Sequence, residues 1–314
     1  MPLSIFGFGS VGALRLRRLS GGLSLLLTAG PNPFVLALPT LALTLGAAQA
    51  GDAPAASPLT CAEMETFLRT AKIGVQRTTA KGVTQPTHAA LDDGTRRHEA
   101  YIQTIHESRR EFKSDRGDTE MNFKDWWEFN VAGYELAKIL EINMVVPYVK
   151  RVKLPGGKYG SLSWGVEGML EAERYKRHLQ PPNLEDWNRQ LYVLRVFDQL
   201  IRDTDPNLTN FIITPDWQVW RFDFTRAFRT QRDLANPKDL VQCDRKLLAN
   251  LRKLNKPQLL QKLTPYVTAM EIDGLLARRD KIVKFFEDQI AAKGESAVLF
   301  DLPRVGQSCG VGLR

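Results

Sequence analysis

The chain contains few cysteines and histidines, and their scarcity argues against several classes of site. Its three cysteines, at positions 61, 243 and 309, are too few and too scattered for a disulfide scaffold or a zinc site, and one pair at most can form. No Gly-x-Ser-x-Gly signature of a serine hydrolase and no internal repeat occurs. The four histidines lack the spacing of metal ligands: they are His88, His98, His106 and His178. Neither a hydrolase nor a zinc enzyme is therefore favoured.

A large excess of one charge is also missing. The 314 residues include 43 Lys and Arg and 35 Asp and Glu, which gives a formal net charge of +8. The first 50 residues contain three of the arginines and no acidic residue, so the remaining 40 basic residues exceed the 35 acidic ones by only five. Such a mild excess does not predict a nucleic-acid partner. The length beyond residue 50 suits one two-lobed domain or two small ones.

The first 50 residues have the pattern of an export signal. A basic segment at residues 15–18 precedes an apolar stretch at 19–46, and Ala48-Gln49-Ala50 has the small residues of a cleavage site. An uncleaved membrane anchor is the alternative, but three prolines inside the stretch favour cleavage. We therefore expect a signal peptide at 1–50, a linker at 51–60, and a periplasmic or extracellular protein that contacts a membrane only if the leader is retained.

Three oxygen-bearing side chains form the most informative motif in the chain. Asp205 and Asn210 lie five residues apart, and Asp223 follows two β-rich runs, at 211–214 and 219–222, that a hairpin would join. Such a hairpin would return Asp223 to the side of Asn210. In phosphoryl transfer, one carboxylate orients the attacking hydroxyl, while an amide oxygen and a second carboxylate hold magnesium. The alternative is that these residues only form solvated turns.

This pattern resembles the atypical kinase superfamily that includes the type II phosphatidylinositol 4-kinases, the HipA toxin kinases and the secretory-pathway casein kinases. Within that group the sequence looks most like exported bacterial members. The matching residues are Thr204, Asp205, Asn207, Asn210, Asp223, Thr225, Arg226, Ala227 and Phe228. The departures are Pro206, Thr209 and Phe224, where Arg, Gly and His are usual.

The resemblance implies an α+β, two-lobed protein-kinase-like fold. It places a β-rich N-lobe at 61–168, a helical C-lobe at 169–302 and a C-terminal tail at 303–314. It also implies that Asp205 is the catalytic base and that Asn210 and Asp223 hold Mg²⁺ against ATP.

The amino-terminal half has the segments of a nucleotide-covering lobe. Strands are expected at 72–79, 85–91 and 98–105, with a turn at Asp92-Asp93-Gly94. The resemblance places the loop at 80–84 over the phosphates, where Lys81 and the backbone near Gly82 would bind them. This loop has one glycine, so a glycine-rich signature is absent.

The lysine–glutamate pair of kinases is also absent. Gln103 stands where the third strand should carry the lysine, and Asn130 stands at the glutamate position of the following helix, predicted at 126–140. These two amides could hydrogen-bond each other, but neither brings positive charge to a triphosphate. The missing cation could come from any of four residues: Lys81, Lys113, Lys124 or Arg226.

Further strands are expected at 145–151 and 160–167, and helices cover most of the remaining chain. The resemblance makes the segment after the second strand the hinge, where the backbone of Gly165, Val166 and Glu167 would bind adenine. A buried helix at 186–201 leads into the Asp205 loop, and Thr268 and Glu271 form a capping box at the start of a later helix. The basic residues of that helix are expected on its solvated face: Arg278, Arg279, Lys281 and Lys284.

Together these patterns favour an exported, ATP- and Mg²⁺-dependent phosphotransferase. The acceptor is an unknown hydroxyl on a protein, lipid or sugar, and the oligomeric state is left open. The alternative is an exported pseudokinase that binds nucleotide, or serves as a scaffold, without turnover. Two observations favour the alternative: the charged pair is replaced by Gln103 and Asn130, and the periplasm is not expected to hold much ATP.

Overall fold

The computed structural model describes residues 59–78, 87–113, 117, 119–151 and 154–303, which belong to one compact unit. The leader at 1–50, most of the linker, the loop residues Lys81 and Gly82, and the tail from residue 304 lie outside these described residues. Within the described part of the chain, no helix has the length and apolar character needed to cross a membrane.

The amino-terminal half is built on a five-stranded antiparallel sheet. Its strand order is β1-β2-β3-β7-β6, and β4 and β5 form a separate hairpin between the third strand and the following helix. Three strands were expected before that helix, so this hairpin is an addition. The strands are β1 (Lys72–Thr78), β2 (Thr87–Asp92), β3 (Arg97–Gln103), β4 (His106–Lys113), β5 (Thr119–Trp126), β6 (Tyr148–Arg151) and β7 (Gly160–Trp164). The predicted turn between β2 and β3 is present, with Gly94 at a φ of 92°.

The two faces of this sheet differ because side chains alternate along each strand. One face is apolar and packs against α1 (Cys61–Thr70), where Phe67 meets Trp164 with ring centroids 5.7 Å apart. The helix α1 starts at a capping box formed by Thr60 and Glu63, so Thr60, expected as the end of the linker, is already part of the folded unit. The other face is polar: it carries Tyr101, Gln103, Tyr148, Ser161 and Ser163.

Helix α2 (Glu128–Leu140) joins this sheet to the carboxyl-terminal half. A Cβ added at Gly133 would lie 2.7 Å from the ring of Phe224, so only glycine permits this approach. After the helix, Met144 O accepts from Arg221 N at 2.7 Å, and Val146 N donates to Arg221 O at 3.2 Å. The segment that carries Asp223 is therefore bound to the loop that follows α2.

The carboxyl-terminal half is mainly helical. Its core helix starts at Asn183, whose side chain accepts from two backbone N–H groups, and buries Trp187, Phe197 and Leu200. The elements are β8 (Met169–Leu170), α3 (Glu171–Lys176), α4 (Leu184–Ile201), β9 (Phe211–Ile213), β10 (Val219–Arg221), β11 (Cys243–Asp244), α5 (Arg245–Lys253), α6 (Lys256–Leu263), α7 (Ala269–Lys293), α8 (Glu295–Val298) and β12 (Leu299–Phe300). The predicted capping box of Thr268 and Glu271 opens α7.

One predicted surface residue of α7 is buried. Arg278 is 0% exposed, and its guanidinium donates to the backbone oxygens of Leu200 and Arg229, both at 2.8 Å, and to that of Gln231. The expectation of a solvated position is wrong, because three carbonyls distant in sequence accept hydrogen bonds from Nε and Nη1 of the buried guanidinium. The neighbouring Lys281 and Lys284 are exposed, as expected.

The cysteines of the described residues are in two states. Cys61, at the start of α1, is disulfide-bonded. Cys243, in β11, is a free thiol, and burial raises its pKa well above the ordinary value. A buried thiol with a raised pKa is a poor nucleophile, so Cys243 is structural.

Candidate active site

Asp205 lies in the loop that follows α4. Its backbone N–H donates to Asp203 Oδ1 at 2.9 Å, and its own Oδ1 accepts from Asn207 Nδ2 at 3.0 Å. The side chain of Asp205 is 45% exposed. The loop thus holds an accessible carboxylate in a fixed orientation, as a base that must meet a substrate hydroxyl requires.

Asn210 ends the same loop and is nearly buried. Its Nδ2 donates to the backbone oxygen of Asp205 at 3.0 Å, and no described residue donates to its Oδ1. The backbone oxygen of Asn210 accepts from Phe222 N at 3.1 Å. The predicted hairpin of β9 and β10 is therefore present, and it brings residues 222–223 beside Asn210.

Asp223 has a strained backbone. Its φ is 60°, in the left-handed region, which costs an L-residue roughly 1–2 kcal/mol. Tyr148 Oη accepts from its N–H at 3.0 Å and holds this conformation. Asp223 Oδ1 accepts from Thr225 N at 3.4 Å and from Thr225 Oγ1 at 3.1 Å, while no described residue donates to Oδ2. Strain held by the surroundings is common at functional sites.

The electrostatics at Asp223 fit a divalent cation. Burial raises the pKa of its carboxyl, the charge of Asp125 adds to this effect, and the hydrogen bonds from Thr225 and the charge of Arg221 offset it only in part. Among the described residues, no three His, Cys, Asp or Glu side chains form a metal cluster. The available donors are one carboxylate and the amide oxygen of Asn210. That set suits Mg²⁺ or Mn²⁺ when phosphates and water complete the shell.

A buried arginine supports both loops from behind. Arg221 is 0% exposed; its Nε donates to Asp198 Oδ1 at 3.3 Å, and its Nη2 pairs with Asp203. Its Nη1 donates to the backbone oxygens of Asn210 at 3.4 Å and Asp223 at 3.0 Å.

The charges of this cluster depend on one another. Burial raises the pKa of Asp198 and that of Asp203. Burial alone would lower the pKa of Arg221, but the two carboxylates outweigh it and raise that pKa. Sequence reasoning missed this cluster, because an arginine within a β-rich run gives no sign of its distant acidic partners.

The expected amide pair does not form. Gln103 and Asn130 are both buried, but no hydrogen bond joins them in the described residues. Asn130 Oδ1 instead accepts from Phe224 N at 2.6 Å. The hydrogen bond that these two amides could form is therefore absent among the described residues, and the backbone N–H next to Asp223 occupies the acceptor of Asn130. Asn130 therefore holds the backbone next to Asp223 and does not pair with Gln103.

The hinge segment lines a cavity of about 560 Å³. Gly165 N donates to Glu99 O at 2.9 Å, and Gly165 O lies 2.9 Å from Nε2 of His98, whose ring stacks on Trp164. The N–H of Gly165 is therefore already used by the neighbouring strand, whereas its carbonyl oxygen has a second lone pair, and the role of Gly165 in binding adenine stays a prediction. No described residue pairs with the backbone of Val166 or Glu167, so those groups are available.

Three of the four candidate cations lie in the described residues. Lys124 Nζ is 2.6 Å from the buried carboxylate of Glu271, and Lys113 is 73% exposed beside Glu111. Arg226 is the one at the site: its Nη1 lies 3.5 Å from Asp205 Oδ2. Lys81 lies outside the described residues.

A five-stranded sheet precedes a helical half, and the Asp205 loop and the β9–β10 hairpin lie after the core helix. Solved structures of kinase-like proteins share this fold. Hydra Fam20 with sugar gives a TM-score of 0.56 at 14% identity, covering 77% of this chain and 92% of that chain. The Golgi casein kinase gives 0.52 at 13% identity, covering 78% and 80%. The Golgi casein kinase with Mn/ADP bound gives 0.52 at 14%, with the same coverage. No protein-family model and no curated protein sequence matches the chain.

Proposed function

We propose that this protein is a phosphotransferase that uses ATP with Mg²⁺ or Mn²⁺. The observation that carries the proposal is the carboxylate of Asp223, whose pKa is raised by burial and whose strained backbone donates its N–H to Tyr148 Oη. The preceding residue, Phe222, donates its N–H to the backbone oxygen of Asn210. The Golgi casein kinase structure with Mn/ADP supports the choice of ligands, because it has the same fold.

In the proposed reaction, Asp205 accepts a hydrogen bond from the acceptor hydroxyl and takes its proton. The new bond joins the acceptor oxygen to the γ-phosphorus, and the bond from that phosphorus to the bridging oxygen breaks, leaving its electron pair on ADP. Asp223 and Asn210 would hold the divalent cation, which neutralises charge on the phosphates. The free backbone groups of Val166 and Glu167 would bind the base at the edge of the cavity. Lys81 and Gly82 stay predicted phosphate contacts.

Two substitutions test this assignment. We expect Asp223→Ala to abolish the Mn²⁺-dependent thermal shift given by ADP, because the carboxylate ligand is lost. We expect Asp205→Asn to keep the thermal shift, with an ADP affinity within a few-fold of wild type. The same variant should lower ATP turnover about 10²- to 10⁴-fold, as expected for the loss of a general base. Asp216→Asn is the matched control, since Asp216 lies exposed in the turn between β9 and β10. An unchanged shift in Asp223→Ala would refute the metal assignment.

A nucleotide-binding protein without turnover is the second candidate. The specific observation that favours it is the neutral sheet side of the cleft, where Gln103 and Asn130 replace a charged pair. A Mn²⁺-dependent ADP shift with no ATP consumption, and no effect of Asp205→Asn, would select this candidate over the kinase.

We also propose that the protein works outside the cytoplasm. The leader pattern at 1–50 and the disulfide-bonded state of Cys61 support an oxidising compartment. Cell fractionation tests this: the mature chain should start near residue 51 and lie in the periplasm or medium. A full-length chain in the membrane fraction would instead support an uncleaved anchor.

A further inference from the structure

The nucleotide cleft lacks a lysine where kinases hold the phosphates. Gln103 occupies that position in β3 and carries no charge. Ser161 in β7 pairs with Gln103 on one side and with Lys150 in β6 on the other, so Lys150 lies on the same polar face as Gln103. The ammonium of Lys150, however, lies 6.0 Å from the centre of the Trp127 ring, beside the start of α2. A cation for the phosphates must therefore come from another segment.

Arg226 lies three residues after Asp223 and contacts two acidic side chains. Its Nε donates to Asp125 Oδ2 at 2.9 Å, and its Nη1 lies 3.5 Å from Asp205 Oδ2. A guanidinium has five N–H groups, so these two contacts leave donors for a phosphate. Burial disfavours its charge, but the hydrogen bond to Asp125 and the fields of Asp205 and Asp223 outweigh burial and raise the pKa of Arg226.

The β4–β5 hairpin fixes Arg226 in this place. The rings of Phe112 and Phe123 stack 4.2 Å apart, and the guanidinium carbon lies 5.5 Å and 5.3 Å from their centroids. Asp125, which holds Nε, belongs to the same hairpin and is 2% exposed. An arginine that is stacked and bonded on one edge loses little further freedom when it binds an anion.

The hairpin is tied to the metal segment at two further points. Trp126 N donates to Thr225 O at 2.9 Å, and Glu120 forms an ion pair with Arg229 at 2.5 Å. Residues 225–229 are therefore packed against the β4–β5 hairpin, which lies between β3 and α2 in the chain. This clamp positions Arg226 independently of the third strand.

We infer that Arg226, positioned by Asp125 and the β4–β5 hairpin, is the cation that binds the β- and γ-phosphates of the nucleotide in place of the missing lysine. The inference rests on the proposed function and assigns a binding residue within it.

Calorimetric titrations of ADP and AMP, each with Mn²⁺, test the inference. Arg226→Ala should weaken ADP about 10-fold or more, the range for a charge-assisted hydrogen bond, and AMP by less than about 3-fold. Arg226→Lys should recover part of the ADP affinity. Asp125→Asn should weaken ADP in the same direction as Arg226→Ala, because Arg226 loses its anchor. This selective loss of ADP over AMP would not follow from a merely structural role.

Two matched variants complete the design. Arg109→Ala removes another guanidinium of the same hairpin, which lies over Phe112 and pairs with Glu107, and should leave both affinities unchanged. Lys150→Ala should also leave them unchanged. If the ratio of ADP affinity to AMP affinity were the same in wild type, Arg226→Ala and Arg226→Lys, the inference would be overturned. A selective loss of ADP affinity in Lys150→Ala would also overturn it. Wild type that binds neither nucleotide would overturn the proposed function itself.

Discussion

The two sides of the cleft differ in how they use charge. The side formed by the sheet and α2 offers neutral groups to the site, namely Tyr148, Gln103 and Asn130. The side formed by residues 198–226 concentrates acids and arginines, several of them fully buried. The difference teaches that most of the charge lies in one short stretch of chain, while the sheet and α2 contribute hydrogen bonds and the β4–β5 hairpin adds the carboxylates of Asp125 and Glu120. Each of the following experiments tests this division.

The largest effect is expected on the charged side. Arg221→Met should lower the free energy of unfolding by about 3–5 kcal/mol, because Asp198 and Asp203 would remain buried without their partner. Urea denaturation measures this loss. Arg252→Met, which breaks only a surface pair with Glu287, is the control and should change stability by less than about 1 kcal/mol. A loss below about 1 kcal/mol for Arg221→Met would show that the buried charges contribute little.

The next effect concerns pH. The pKa of Asp223 is raised by burial, so its carboxyl takes up a proton at a higher pH than an ordinary aspartate. A divalent cation needs the ionised form, so Mn²⁺ affinity in the presence of ADP should fall as pH decreases from about 7.5 towards 5. Calorimetry at several pH values measures the slope. Asp223→Asn should bind Mn²⁺ weakly at every pH. A Mn²⁺ affinity of the wild type that stays constant over this range would contradict the prediction.

The smallest effect is expected on the neutral side. Asn130→Ala removes the acceptor of the buried Phe224 N–H, which should cost about 1–3 kcal/mol of stability. Asn143→Ala, at an exposed position after α2, should change stability by less than about 0.5 kcal/mol. If both variants unfold at the same urea concentration, the hydrogen bond from Phe224 N to Asn130 does not stabilise the fold. The proposed contribution of the neutral side would then be contradicted.

Much of the fold was predictable from local patterns. The strands around Gly94, the hairpin before Asp223, the helix before Asp205 and the Thr268 capping box are each specified by residues close in sequence. The β4–β5 hairpin was not predicted, because most of its residues are exposed on both faces and show no apolar alternation.

The contacts within the site were less predictable. Asn130 was placed correctly on its helix, but its partner, Phe224, lies 94 residues away. The hinge glycine was placed after β7, yet its polar groups are used by His98 and Glu99 on another strand. Arg278 likewise finds its acceptors in segments far along the chain. Such pairings depend on tertiary packing, which a local pattern does not contain.

The attachment of α2 to the segment that carries Asp223 has a consequence for how the two can move. Asn130 holds the residue after Asp223, and the loop after α2 exchanges two hydrogen bonds with Arg221, two residues before it. An outward swing of this helix would therefore break contacts on both flanks of Asp223 together, and the ring of Phe224 against Gly133 would lose its packing. Helix α2 and the segment of Asp223 are therefore expected to move together.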